Sequence, residues 1–136
     1  MSELNGELRV PIESDADIVT ARQKGRALAM EIGFTGSDPT LIAAAISEVA
    51  RNILTHAGHG EITMYRISQN GKLSIEVVAH DEGPGIADIE QAMQYGYSSK
   101  SGIGVGLPGA KLLMDDFGIS SQIGKGTRVT MRKWVH

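Results

Sequence analysis

Between residues 61 and 79 the chain reads as two strands joined by a tight turn. Leu73, Ile75, Val77 and Ala79 alternate with Ser74, Glu76 and Val78, a period of two that places the four apolar side chains on one face of an extended chain. The preceding segment, 61–67, is also strand-like, and Asn70-Gly71 lies between the two. That dipeptide accepts the positive φ angles of a two-residue hairpin, so the strands are expected to be antiparallel neighbours. A sheet with one apolar face has to be covered.

The remaining segments supply the cover. Ser14 with Asp17 three residues on resembles a capping box, and Ile18, Arg22, Gly25, Leu28, Ala29 and Ile32 follow helical spacing as far as Gly33. This predicts a helix over 15–32, with Gly25 allowing close packing. Pro39 is placed to start a second long helix over 39–57 that closes at Gly58. Residues 7–12 have the mix of a short strand, which Pro11 restricts to an edge. Shorter helices are expected at 87–95 and 106–116, then strands at 119–123 and 127–134 joined through Gly124-Lys125-Gly126. The sum is an α+β two-layer sandwich: a mixed, mostly antiparallel sheet of about five strands with helices on one face.

Length and composition close off several alternatives. A chain of 136 residues fits one domain, here expected to span 1–136, and no internal repeat or linker is visible. Lys plus Arg number 13 against 16 Asp plus Glu, which leaves no basic stripe for nucleic acid. With no cysteine there is no disulfide framework or thiol nucleophile. The N-terminal residues lack a signal peptide's pattern and no apolar run approaches the roughly 20 residues that cross a bilayer, so a cytoplasmic location without membrane insertion is expected.

Three constellations carry chemistry. In the second helix Glu48, Asn52 and His56 recur every four residues and share one face, beside the apolar stripe of Ile42, Ile46, Val49 and Ile53. Such a border suits a ligand-binding edge, although a solvated helix face reads the same way. Directly after the alternating strand comes Asp81-Glu82-Gly83-Pro84-Gly85. By parity Asp81 points to the core side, where a carboxylate needs a hydrogen-bond donor, and a ligand amino group is one. An ordinary turn is the alternative. Gly102, Gly104 and Gly106 then lead through Leu107 into a helix. Backbone amides freed by glycine turns, together with a helix N-terminus, suit a phosphate, while a hinge is the plainer reading.

Other motifs fail on context. Gly104 to Gly109 spells GxGxxG without the preceding strand or the acid about 20 residues on that a dinucleotide fold requires. Asp116-Phe117-Gly118 spells a protein-kinase magnesium motif, but HRD and the lysine-bearing strand motif are absent and the chain is too short for that fold, and Gly124-Lys125-Gly126-Thr127 lacks the spacing of a Walker loop. His56 and His59 have no third zinc ligand at motif spacing.

In order and spacing the three constellations resemble the N-box, DxGxG box and GxGxG box of the GHKL (Bergerat) ATP-binding fold, and Gly126-Thr127 resembles its final glycine-threonine pair. Within that superfamily the chain is similar, nearly end to end, to the bacterial serine/threonine switch kinases of stressosome-type sigma-factor partner switching. The similarity includes Ala21-Arg22-Gln23, Ile46-Ser47-Glu48, Ala50-Arg51-Asn52-Ile53 and Gly106-Leu107-Pro108-Gly109. The resemblance implies ATP and Mg2+ as cofactors. It implies that Asp81 binds the adenine amino group with Gly83, Gly85 and Thr127 around the base, that Asn52 coordinates Mg2+, and that Glu48 is the general base toward a serine or threonine hydroxyl. Gly102, Gly104, Gly106 and Leu107 would surround the phosphates. Lys100 would meet the γ-phosphate unless it is simply solvated, and His56 would be structural.

The implied function is phosphorylation of STAS-domain proteins, followed by release to activate a phosphatase or other signalling protein. If 1–136 is the whole protein, no phosphoacceptor histidine domain accompanies it, so the phosphate goes to another polypeptide or to water. Two alternatives stand beside this: a nucleotide-gated module that sequesters a sigma factor, and a plain ATPase.

Overall fold

The computed structural model describes residues 2–86, 93 and 106–136. Its elements, in chain order, are β1 (Ser2–Ile12), α1 (Asp15–Ile32), α2 (Asp38–His56), β2 (Gly60–Gln69), β3 (Lys72–Asp81), α3 (Gly106–Leu113), β4 (Asp116–Gln122) and β5 (Gly126–Trp134). The strands form one sheet in the order β1-β2-β3-β5-β4. Lys100, Gly102, Gly104 and the helix expected at 87–95 lie outside the described residues, apart from Met93, which packs against the core.

The hairpin forms where the sequence places it. Asn70 (φ 54°) and Gly71 (φ 78°) both take positive φ, as a twist-matched two-residue turn requires, and Gln69 then pairs with Lys72 and Met64 with Val77. Ile75, Val77, Ala79 and Asp81 are buried on one side of β3. Over that side lie α1 and α2, whose Ile18, Ala21, Ile42, Ile46, Val49 and Ile53 complete the core with Ile62 and Met64 of β2. Gly25 lets α1 and α2 pack closely: a methyl group there would collide with Ile46 Cδ1.

The mixed sheet expected from the sequence is corrected to an antiparallel one, since every pairing among the described residues is antiparallel. A single crossover helix returns a strand in parallel. Here two consecutive helices intervene between β1 and β2, the chain reverses once more, and the strands pair antiparallel. Element ends move as well. Strand β1 starts at Ser2 instead of residue 7 because Ser2–Leu4 pair with the end of β2. Helix α3 stops at Leu113, short of 116, because Asp115 N already donates to Arg132 O and Asp116 pairs with Arg132. The capping box of α1 is only partly realised: the Asp17 carboxylate accepts from Glu13 N at 2.8 Å, and Ser14 makes no side-chain cap. Among the described residues, no helix is long and apolar enough to cross a membrane.

Candidate nucleotide site

One wall of the site is α2. Its apolar stripe turns Ile42, Ile46, Val49 and Ile53 into the core, and the spacing of four then sets Glu48, Asn52 and His56 at the border, each half-buried or nearly so. The Glu48 side chain is only 12% exposed, and both of its oxygens are engaged. Oε1 accepts from the Arg51 guanidinium at 3.0 Å, and Oε2 accepts from the backbone N–H of Gly106 at 2.9 Å. Gly106 opens α3 with φ 68°, a value that suits only glycine comfortably, and Leu107 behind it is buried in the core. The glycine thus aims its amide at α2 while the next residue anchors the helix. On its outer side Glu48 lines a groove of about 450 Å³ between α1 and α2, together with Arg22, Arg26, Thr40, Ser47 and Arg51.

Asp81 ends β3 on the core side, as its parity requires, and is 3% exposed. Its Oδ1 accepts from Gly83 N at 2.9 Å. A carboxylate offers about four acceptor positions, so Asp81 retains capacity for a further donor such as an exocyclic amine. Thr127, also buried, lies directly opposite Asp81 across the β3/β5 ladder, on the same face. Gly83 packs so tightly that a methyl group on it would stand 2.5 Å from Ala57 Cβ. The Asp81 loop is therefore seated against the C-terminal end of α2, and one helix spans both candidate subsites.

Ser121 holds this loop in place, and sequence reasoning did not single it out. Its Oγ accepts from Ile86 N at 2.7 Å, lies 2.8 Å from Thr127 Oγ1 and 3.1 Å from Gly126 O. Ser121 has one proton. When that proton goes to the Gly126 carbonyl, Thr127 donates to Ser121 and presents lone pairs elsewhere. Gly124 N adds a 2.8 Å bond to Pro84 O, and Gly85, at φ 82°, abuts the Gln122 carbonyl with no room for a Cβ. The signal for Ser121 was available: it is a polar residue at the inward position of a strand whose other inward residues are Phe117 and Ile119.

These residues fit a nucleotide in their chemistry: a buried carboxylate with spare acceptor capacity, a hydroxyl beside it, and, midway along α2, a second carboxylate with the Gly106 amide against it. For magnesium the test is the donor set. Among the described residues no three His, Asp or Glu side chains converge on one point. An ion carried by nucleotide phosphates takes only one or two protein oxygens, and the Asn52 side chain can supply one.

Comparison with known proteins places the chain in a family. The model of the histidine kinase-like ATPase domain family matches residues 12–133. The chain is 45% identical over 132 residues to "Serine/threonine-protein kinase RsbT" of Bacillus subtilis (strain 168), covering 97% of this chain and 99% of that one. It is 34% identical over 141 residues to "Anti-sigma F factor" of Thermoanaerobacter sp. (strain X514), covering 99% and 94%. Among solved structures, a chain of the SiaB-SiaC complex from Pseudomonas aeruginosa shares the fold with a TM-score of 0.57 at 13% identity, covering 97% of this chain and 91% of that one.

Proposed function

Since the chain belongs to the histidine kinase-like ATPase domain family, we propose that it is an ATP-dependent serine/threonine protein kinase that phosphorylates STAS-domain proteins in a stressosome-type partner-switching pathway. Release from the phosphorylated substrate then frees it to activate a phosphatase or other signalling protein. The observation that carries this reading is the placement of Glu48 and the Asp81 loop at two positions along α2. Glu48 and Ala57, against which Gly83 sits, are separated by roughly 13 Å of helix axis at 1.5 Å per residue, which suits the adenine at the Asp81 loop and the γ-phosphate beside Glu48. The near full-length similarity to a named serine/threonine kinase supports the choice of reaction.

Asp81 accepts a hydrogen bond from the adenine amino group, with Gly83 and Gly85 shaping the loop and Thr127 beside the base. Asn52 would supply its amide oxygen to Mg2+, Gly102, Gly104, Gly106 and Leu107 would bound the phosphates, and Lys100 would meet the terminal one. When bound there, magnesium would supply neutralisation of the charge that develops on the phosphates during transfer. Glu48 accepts the proton of the substrate hydroxyl as its oxygen bonds to the γ-phosphorus and the bond to the ADP oxygen breaks. The proton then passes to solvent. The protein acts in the cytoplasm.

The test is to incubate the protein with magnesium and γ-labelled ATP in a cell extract depleted of small molecules. Label on a STAS-domain protein, at serine or threonine, supports the proposal; label released only as free phosphate contradicts it. The similarity to an anti-sigma factor favours one second reading, a nucleotide-gated module that sequesters a sigma factor. That reading predicts a sigma factor as the copurifying partner, and a regulatory output that survives Glu48→Ala.

A further inference from the structure

The Glu48 carboxylate is held from two directions by groups on two different helices. Arg51, one turn along α2, reaches Oε1 at 3.0 Å, and the Gly106 amide at the start of α3 reaches Oε2 at 2.9 Å. With side chains 12% and 25% exposed, the Glu48–Arg51 pair is sheltered from much of the screening that empties surface ion pairs of their worth. The terminal torsion of a glutamate is broad. One anchor leaves the carboxylate free to swing about it, whereas two anchors on different oxygens fix its plane as well as its position.

We propose that Arg51 is a positioning residue for phosphotransfer, which sets the plane and approach of the Glu48 carboxylate without touching nucleotide or acceptor hydroxyl itself. This rests on the reading of Glu48 as general base. A base displaced by about 1 Å loses on the order of a hundredfold in rate. The planar guanidinium fork supplies direction as well as charge, which a lysine ammonium supplies only as a point charge.

The test uses the full chain, γ-labelled ATP and the acceptor protein obtained from the labelling experiment. It compares Arg51→Ala, Arg51→Gln, Arg51→Lys, Glu48→Gln and the double variant Glu48→Gln/Arg51→Ala. The single-turnover transfer rate of Arg51→Ala is expected to fall about 10- to 100-fold, with nucleotide affinity unchanged within about twofold. Arg51→Lys recovers part of the rate, and the double variant is no slower than Glu48→Gln, because no carboxylate remains to be oriented. Should Arg51→Ala fail to fold, Arg51→Gln, which keeps the stem and a donor, takes its place. Wild-type rates in Arg51→Ala and Arg51→Gln, a matching loss of nucleotide affinity, or a further tenfold loss in the double variant would each overturn the positioning role and leave Glu48 as base intact. Full activity of Glu48→Gln alone would remove the base reading instead.

Discussion

Gly106 donates its backbone N–H to Glu48 Oε2 at 2.9 Å, joining residues 58 positions apart in the chain. The bond ties the first residue of α3, which closes the glycine-rich segment, to the carboxylate proposed as the general base. Gly106→Ala places a Cβ on a residue at φ 68°, a conformation that costs an L-residue roughly 1–2 kcal/mol. Denaturant unfolding is expected to show that loss, and the transfer rate is expected to fall because the amide leaves Glu48. An unchanged rate would mean that the bond does not matter for catalysis.

Asp81→Asn keeps the size of the side chain and an oxygen for Gly83 N, yet removes the charge that favours a ligand amine. Hydrogen bonds to charged groups contribute about 1.5–3 kcal/mol, so nucleotide affinity is expected to drop roughly 10- to 100-fold. Equilibrium titration with a fluorescent adenine nucleotide measures it. Affinity within twofold of the wild type would exclude Asp81 from the base site.

Ser121→Ala removes a hydroxyl that serves Ile86 N, Gly126 O and Thr127 together. A buried amide left without a partner costs about 1–3 kcal/mol. Unfolding is expected to report a loss in that range, and nucleotide affinity falls with it because Thr127 loses its neighbour. A loss of stability with unaltered affinity would confine Ser121 to a structural role.

These relationships differ in how far the sequence showed them. The hairpin at Asn70-Gly71 and the α2 trio were legible because period, turn chemistry and helix pitch are local properties. The Asp81 position was legible too, as strand parity carried to its end. What escaped were relations between distant segments: the engagement of Glu48 by Gly106, and Ser121 beneath the Asp81 loop. Strand β4 was expected at 119–123 and runs Asp116–Gln122, since Asp116 and Gly118 are poor strand formers that β5 holds in register. The antiparallel return of β2 to β1 depends on how α1 and α2 pack, which their periodicity does not encode.

Ser74 supplies a prediction away from the site. It is fully buried, and its hydroxyl has no hydrogen-bond partner among the described residues. Burial of an unpaired hydroxyl is unfavourable, so Ser74→Ala is expected to leave stability unchanged or raise it by up to about 1 kcal/mol. Thermal and denaturant unfolding check this, and a clear loss would show that the hydroxyl is paired in solution.

The most direct measurement follows γ-labelled phosphate from magnesium-ATP to serine or threonine of a STAS-domain acceptor, with wild-type protein and Glu48→Gln side by side and nucleotide binding measured on both. The expected result is label on the acceptor with wild type, little or none with Glu48→Gln, and nucleotide affinities that agree within a few-fold. Equal labelling by the two proteins, or phosphate released by the wild type without any labelled protein, would contradict a protein kinase with Glu48 as its base.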